Sequence, residues 1–347
     1  VKAVILAGGK GIRLWPESRS DKPKQLCSFF GNKSMLEHTV DRLDPDFTSE
    51  TLIITVKNQA EMIRKIMLEA GQHHHIKIIC EPAGRNTAPA VGLALAACRD
   101  ADPAEVMAIF PADHYIRDTH AYQKVLTRAV ESASRGYLTT VGIPPAYPET
   151  GYGYIHRGEQ LPGLSDAYQV YAFKEKPDLT TALAYLEAGS YYWNSGMFFA
   201  RIDVWREEYR KHLPRVYELI MQGYEHYLSH YSFLPDISLD YAIAEKCRRV
   251  AMVRGDFGWS DVGSWKALAE LLDTDQNGNV MVGDDILALG VKDCLVKQTE
   301  KTVALLEVDG LIVVETRDVI FICSKEKSQQ VKKMVDLLVA EGRDVLL

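Results

Sequence analysis

Apolar residues open the chain in short runs, with polar and glycine-rich stretches between them. Val1 to Ala7 is a β-branched run closed by glycines, which predicts a buried parallel strand followed by a loop. Leu52 to Val56 predicts a second strand. A helix should follow, with Asn58 as N-cap, Glu61 completing a capping box, and Met62, Ile63, Ile66 and Met67 on one face before Gly71 stops it. Ile76 to Cys80 reads as a strand, Thr87 to Arg99 as an Ala-rich helix, and Val106 to Phe110 as a strand. Ala121 to Ser134 reads as a helix and Leu138 to Ile143 as a strand. Alternation of this kind over roughly the first 145 residues implies a parallel sheet with helices on both faces. Ligands of such sheets bind beyond the carboxyl ends of the strands, so Gly8 to Arg13, Glu81 to Asn86 and Pro111 to His114 are the segments to inspect.

The pattern then changes. Tyr168 to Glu175 alternates like a strand, Asp178 should cap a helix ending near Gly189, and Gly196 to Arg201 is strand-like. Val204 to Gly223 and Leu239 to Cys247 read as helices. The polar cluster from Asp273 to Asn279 is a turn and the expected domain boundary, giving residues 1–275 and 276–347. After it, short strands around Ile286, Leu295, Val303, Ile312 and Ile320 form a small β-rich module, closed by an amphipathic helix from Glu326 to Ala340.

Composition narrows the partners. Hydrophobic residues make up 47% and charged residues 25% of the 347, as in ordinary globular proteins. The net charge of −7 argues against a nucleic acid or an anionic membrane as main partner, since both need a basic surface. The six cysteines form no C-x-x-C pair and read as reduced thiols of a cytoplasmic protein. No apolar run approaches the ~20 residues of a membrane span, and no signal peptide is expected. The triplet His73-His74-His75 reads as a solvated turn.

Four motifs carry candidate chemistry. In Gly8-Gly9-Lys10-Gly11-Ile12-Arg13 the glycines allow backbone N–H groups to approach phosphates, and Lys10 and Arg13 add positive charge; an ordinary tight turn is the alternative. A P-loop would need Ser or Thr after its lysine, where Gly11 stands, and a dinucleotide loop would need a third glycine where Leu14 stands. Lys22-Pro23-Lys24-Gln25 offers a second basic element, with Pro23 fixing the backbone that aims Lys24. Phe110-Pro111-Ala112-Asp113-His114 delivers an acid to the sheet's edge, where Asp113 either holds Mg²⁺ through oxygen or caps a helix. His114 reads as an orienting or packed imidazole. Phe257-Gly258-Trp259-Ser260-Asp261-Val262-Gly263-Ser264-Trp265 reads as a tight loop at a ligand or a turn with core tryptophans, with Asp261 the candidate second Mg²⁺ ligand.

These residues also carry a resemblance. Ala7 to Pro16 and Pro23-Lys24-Gln25 resemble the signature of nucleotidyltransferases that act on sugar phosphates. The Trp15 to Arg19 continuation, Glu81 to Ala90 and Phe110 to His114 narrow the likeness to mannose-1-phosphate guanylyltransferases. So do Gly151 to Ile155, Glu175-Lys176-Pro177, Trp193 to Phe198, Asp240-Tyr241-Ala242, Glu245-Lys246 and Asp261 to Trp265. The matches run in order over about the first 265 residues. The resemblance implies a Rossmann-like α/β fold of the GT-A type with a mixed, mainly parallel sheet, followed by a small left-handed β-helix-like module with a closing helix. It implies a short, single-activity form without a phosphomannose isomerase domain, and a homodimer formed through the small module.

The resemblance also implies the roles. Gly8, Gly9, Gly11, Arg13 and Lys24 would hold the GTP phosphates, with Arg13 and Lys24 catalytic. Glu81, Arg85, Asn86 and Thr87 would lie near the nucleoside. Gly153, Glu175, Lys176 and Asn194 would hold mannose 1-phosphate, and Asp113 and Asp261 would bind Mg²⁺, with Asp113 also at the nucleotide. Lys174 departs from the apolar residue usual before Glu175 and is expected to face outward. The implied products are GDP-mannose and pyrophosphate. A same-fold pyrophosphorylase for another sugar 1-phosphate or nucleotide is the nearest alternative; a non-catalytic sugar-nucleotide sensor and a dehydrogenase are further ones.

Overall fold

A computed structural model describes residues 1–9, 11–43, 47–71 and 75–347. Lys10, His73 and His74 lie outside the described residues. The described chain forms two compact units. The first comprises Val1–Gly8, Glu37–Ala112 and Ile116–Trp259; the second comprises Gly9–Leu36, Asp113–Tyr115 and Ser260–Leu347. The boundary expected at residues 275 and 276 divides the chain by position. The contact units instead place the glycine loop, the Lys22 to Gln25 segment and Asp113 in the same unit as the β-rich module.

The strands in chain order are β1 (Lys2–Leu6), β2 (Glu50–Val56), β3 (Ile76–Glu81), β4 (Val106–Pro111), β5 (Tyr115–Ile116), β6 (Leu138–Ile143), β7 (Gly153–Gln160), β8 (Ala167–Glu175), β9 (Tyr191–Arg201), β10 (Val250–Arg254) and β11 (Trp259–Ser260). The second unit adds β12 (Val280–Val282), β13 (Ile286–Leu289), β14 (Leu295–Lys297), β15 (Val303–Leu306), β16 (Leu311–Glu315) and β17 (Ile320–Ser324). The helices are α1 (Met35–Asp41), α2 (Lys57–Glu69), α3 (Thr87–Ala97), α4 (Thr119–Ser134), α5 (Leu179–Ala188), α6 (Ile202–His212), α7 (Pro214–Gln222), α8 (Tyr224–His230), α9 (Trp265–Ala269) and α10 (Val331–Ala340).

In the first unit nine strands form one sheet in the order β3-β2-β1-β4-β9-β6-β10-β8-β7. The run from β3 to β4 is parallel, as the alternation of strands and helices predicts. Strand β9 reverses direction and pairs antiparallel with both β4 and β6, so the sheet is mixed. Against the parallel half packs α3, apolar on every side and buried from Ala88 to Ala96. Gly92 is required there, because a Cβ would stand 2.2 Å from the Tyr227 hydroxyl.

Four predicted helices differ in detail; the closing one, read from Glu326, is a 3-10 stretch over Lys325–Gln330 before α10 begins at Val331. Helix α2 begins at Lys57 directly after β2, with Val56 at the cap and no side-chain cap, so Asn58 lies inside the helix and forms no capping box. The strand runs into the helix without a loop, which leaves no room for a polar cap. The helix read from Val204 to Gly223 is broken into α6 and α7 at Pro214, which lacks the N–H that would continue it. The helix read from Leu239 to Cys247 is one π turn, Asp240–Ala244. Helix α5 is capped as predicted: Asp178 accepts from the Thr181 N–H at 2.8 Å, and Gly189 ends it at φ 64°.

The second unit stacks two parallel ladders. In one, Val280 stands beside Leu295 and Leu295 beside Ile312; in the other, Ile286 stands beside Val303. The stacked Val280, Leu295 and Ile312 join Leu14, Trp15, Trp265, Val335 and Leu338 in one apolar core. Glu315 is fully buried there and accepts from the Thr299 N–H at 2.6 Å and the Glu300 N–H at 2.9 Å. Burial alone would raise its pKa. These bonds and Lys301 overcome that and hold it at about 2.

Candidate active site

The glycine loop and the Lys22 to Gln25 segment meet inside the second unit. Gly11 takes a left-handed φ of 57° and starts a 3-10 turn, Ile12–Leu14. A Cβ on Gly11 would lie 2.6 Å from both the backbone N and the Cβ of Lys24, so only glycine permits this approach. Gln25 Nε2 donates to the Gly9 carbonyl at 3.0 Å. Pro23, at φ −67°, starts the 3-10 turn Lys24–Leu26 that aims the lysine. Lys22 points elsewhere, half-exposed and 3.6 Å from Glu17.

The Lys24 side chain is 7% exposed and its Nζ donates to Asp113 Oδ2 at 2.8 Å. The same Nζ donates to the Asp261 carbonyl. Burial would push the Asp113 pKa up, but the Lys24 ammonium, aided by His114, holds it below the usual carboxylate range. Asp113 is therefore an ion-pair partner and caps no helix; the cap of α4 is Asp118. Asp261 precedes Val262, a β-branched residue at φ 47°, a strained conformation that clusters at functional sites. The buried Val262 side chain and the Ser260 hydroxyl, which accepts its N–H at 3.0 Å, hold that turn. Gly11, Ile12, Arg13, Lys24, Asp113, His114, Asp261, Val262 and Gly263 line one cavity of roughly 300 Å³.

The donor set fits a hard divalent cation. Two carboxylates line the cavity, and such an ion is held by one or two carboxylates together with substrate phosphates. Among the described residues no cluster of three or more His, Cys, Asp or Glu forms a protein-only metal cage. The tryptophans flanking these motifs are structural. Trp265 is fully buried and donates to the Trp15 carbonyl at 3.0 Å, and Trp15 donates to the Leu346 carbonyl at 2.7 Å.

The first unit brings together the residues implied for the sugar phosphate. Gly153 pairs with Glu175 between β7 and β8. A Cβ on Gly153 would meet Glu175 Oε2 at 2.5 Å and the Asn194 Cβ at 3.4 Å, so the glycine lets the glutamate lie across the strand beside the asparagine. Lys176, at φ 47°, turns its Nζ onto Glu175 Oε1 at 2.9 Å. Asn194 is 9% exposed and its Nδ2 donates to Asp240 Oδ1 at 2.8 Å. Sequence reasoning gave Asp240 no role. Its burial, with the neighbouring Glu175 carboxylate, raises its pKa to about 6. Lys174 is exposed, as expected.

The residues implied for the nucleoside are tied into the fold of the same unit. Glu81 is 5% exposed and accepts from the Tyr231 hydroxyl at 2.5 Å. Its other oxygen lies 2.2 Å from where a Gly8 Cβ would be. Arg85 donates to the Ser232 carbonyl at 2.5 Å. Asn86, at φ 65°, caps α3 by accepting the Thr87 N–H, and the Thr87 hydroxyl accepts the Leu239 N–H at 2.7 Å. No signal in the sequence marked Tyr231, which lies 150 residues from Glu81.

The glycine loop, the buried Lys24 cation and two carboxylates line one cavity, in a chain that also builds a mixed α/β sheet. The chain belongs to the nucleotidyl transferase family, whose model matches residues 2–278. Residues 284–338 match a mannose phosphate isomerase/GMP-like β-helix domain. A mannose-1-phosphate guanylyltransferase of Klebsiella pneumoniae is 40% identical over 96% of this chain and 73% of its own length. One of Salmonella montevideo is 38% identical over 99% of this chain and 75% of its own. A crystal structure from Thermus thermophilus, described as a mannose-1-phosphate geranyltransferase, superposes with a TM-score of 0.89 at 35% identity, covering 97% of this chain and 98% of that one.

Proposed function

We propose that the chain transfers GMP from GTP to mannose 1-phosphate, giving GDP-mannose and pyrophosphate. The observation that carries this reading is the cavity in which Gly11, Arg13, Lys24, Asp113 and Asp261 converge. The relatives named as mannose-1-phosphate guanylyltransferases, similar over almost the whole chain, support the choice of substrates.

The reaction joins two anions. A phosphate oxygen of the sugar attacks the α-phosphorus of GTP in line and pyrophosphate leaves. That oxygen is already ionised near neutral pH, so alignment and charge neutralisation matter more than a general base. Lys24 is held in place by Asp113 before substrate arrives, so its charge needs no reorganisation. Arg13, exposed at the cavity wall, adds a second cation against the triphosphate. Backbone N–H groups of the loop around Gly9 and Gly11 contribute fixed dipoles. In the first unit Gly153, Glu175, Lys176 and Asn194 receive the sugar phosphate. Asp113 and Asp261 would hold Mg²⁺, which supplies charge neutralisation at the reacting phosphates. Glu81, Arg85, Asn86 and Thr87 shape the nucleoside end through the start of α3.

We extend the proposal to a cytoplasmic homodimer. All six cysteines are free thiols, which supports a reducing compartment, and no helix among the described residues is long and apolar enough to cross a membrane. The paired strands β13 and β15 expose Leu287, Leu289 and Leu306, apolar side chains of the kind that second copies cover.

Pyrophosphate release from purified protein, measured across the four ribonucleoside triphosphates and several hexose 1-phosphates, tests the reading. GTP with mannose 1-phosphate should give the highest kcat/KM. A higher value for another pair would assign the chain to a same-fold pyrophosphorylase of different specificity, and no release with any pair would leave only a binding role.

A further inference from the structure

The residues that would touch the sugar phosphate are themselves held by one short segment that nothing in the proposed chemistry requires. Asp240–Ala244 is a π turn, closed by a bond from the Glu245 N–H to the Asp240 carbonyl at 3.0 Å. Single π turns are rare and occur often at functional sites. The first residue of the turn, Asp240, and the residue that closes it, Glu245, turn their side chains to the sugar-phosphate cluster. Asp240 Oδ1 accepts from Asn194 Nδ2 at 2.8 Å, and Glu245 Oε1 accepts from the Glu175 backbone N–H at 3.1 Å.

The Asn194 amide has two orientations that differ by exchange of its oxygen and nitrogen. The Thr140 hydroxyl lies 2.8 Å from Asn194 Oδ1 and 2.9 Å from the Met197 carbonyl, so with one proton it does not choose between them. The Gly196 N–H approaches Asn194 Oδ1 at 3.3 Å and favours the oxygen on that side, but the bond is long. The Asp240 carboxylate fixes the choice, because a reversed amide would aim its oxygen at an acid. In the fixed orientation one Nδ2–H serves Asp240 and the other is available for an acceptor on the substrate. Glu175 is set in a similar way. Its main-chain N–H is tied to Glu245, and its side chain lies over Gly153.

We infer that the π turn is the positioning element of the sugar-phosphate site, with Asp240 orienting the Asn194 amide and Glu245 fixing the end of β8 at Glu175. The inference rests on the sugar-phosphate role proposed above. Asp240 and Glu245 act through Asn194 and Glu175, and are positioning residues.

Steady-state kinetics with GTP and mannose 1-phosphate on the full chain test it, using Asp240→Ala, Asp240→Asn, Glu245→Ala and Glu245→Gln. Each alanine variant should raise KM for mannose 1-phosphate about tenfold, the size of one lost hydrogen bond, with KM for GTP within about twofold of wild type. The Asn and Gln variants keep an acceptor oxygen and should recover most of the loss. If one alanine variant does not fold, the other decides. An unchanged KM for the sugar phosphate, or a KM for GTP that rises in step with it, overturns the positioning role and leaves the proposed function standing. A wild-type chain that neither turns over nor binds mannose 1-phosphate by calorimetry overturns both.

Discussion

Replacing Lys24 by methionine removes an ammonium while keeping most of an apolar stem in a slot that leaves the side chain 7% exposed. Two effects follow. Asp113 loses the donor at 2.8 Å that, with His114, keeps its carboxyl ionised against burial. One charge-assisted hydrogen bond contributes about 1.5–3 kcal/mol. The Asp113 side chain is 35% exposed, so solvent reduces the stability loss toward the lower end. The larger effect is on rate. Losing one preorganised donor raises a barrier by about 2.7–4 kcal/mol, a fall in kcat of roughly 10²–10³-fold. Lys24→Arg should recover little, because a planar fork does not fit a slot shaped for a single ammonium beside Gly11. The assay is pyrophosphate release at saturating GTP and mannose 1-phosphate, alongside a melting curve to confirm folding. A folded Lys24→Met protein with kcat within about tenfold of wild type would refute the reasoning that its charge acts on the reacting phosphates.

Three further outcomes are expected. Gly153→Ala places a Cβ 2.5 Å from Glu175 Oε2, so the glutamate must move and KM for mannose 1-phosphate should rise about tenfold; an unchanged KM would remove Glu175 from the site. Asp261→Asn should leave the melting temperature unaltered and shift the Mg²⁺ titration of activity upward by about tenfold or more; a superimposable titration means that Asp261 is no ligand. The Glu315 carboxyl, held at about 2 against an ordinary 4.5, contributes stability that is complete above pH 4.5 and lost as pH falls toward 2. Glu315→Gln should therefore lower stability near neutrality and flatten its acid dependence over that window. Parallel acid-unfolding curves for the two proteins would contradict this.

The parallel half of the sheet was legible because its buried strands carry short apolar runs, such as Ala3 to Leu6 and Leu52 to Ile54, and the carboxyl ends of such strands are where ligands sit. The Gly8 to Arg13 loop and Asp113 were found for that reason and Lys24 as a second basic element, and the structure gathers Gly11, Arg13, Lys24 and Asp113 around one cavity. Strand β9 was read only from Gly196 onward, because Trp193, Asn194 and Ser195 interrupt its apolar pattern with site residues. Strand β10 was not read at all, because its apolar run, Val250 to Val253, is only four residues long and is enclosed by Arg248, Arg249 and Arg254. Partners far apart in sequence stayed hidden. Nothing local to Glu81 announces Tyr231, and nothing local to Asn194 announces Asp240, although Asp240 stood within a recognisable motif. The same motifs mix chemistry with architecture: Trp15 and Trp265 support the core, while Arg13 and Asp261 beside them line the cavity.

A crystal structure with a non-hydrolysable GTP analogue and Mg²⁺ tests the central claim most directly. The account predicts triphosphate density in the cavity lined by Gly11, Arg13 and Lys24, with the metal on Asp113 and Asp261. Triphosphate bound elsewhere, with Lys24 still paired only to Asp113 and the Asp261 carbonyl, would contradict it.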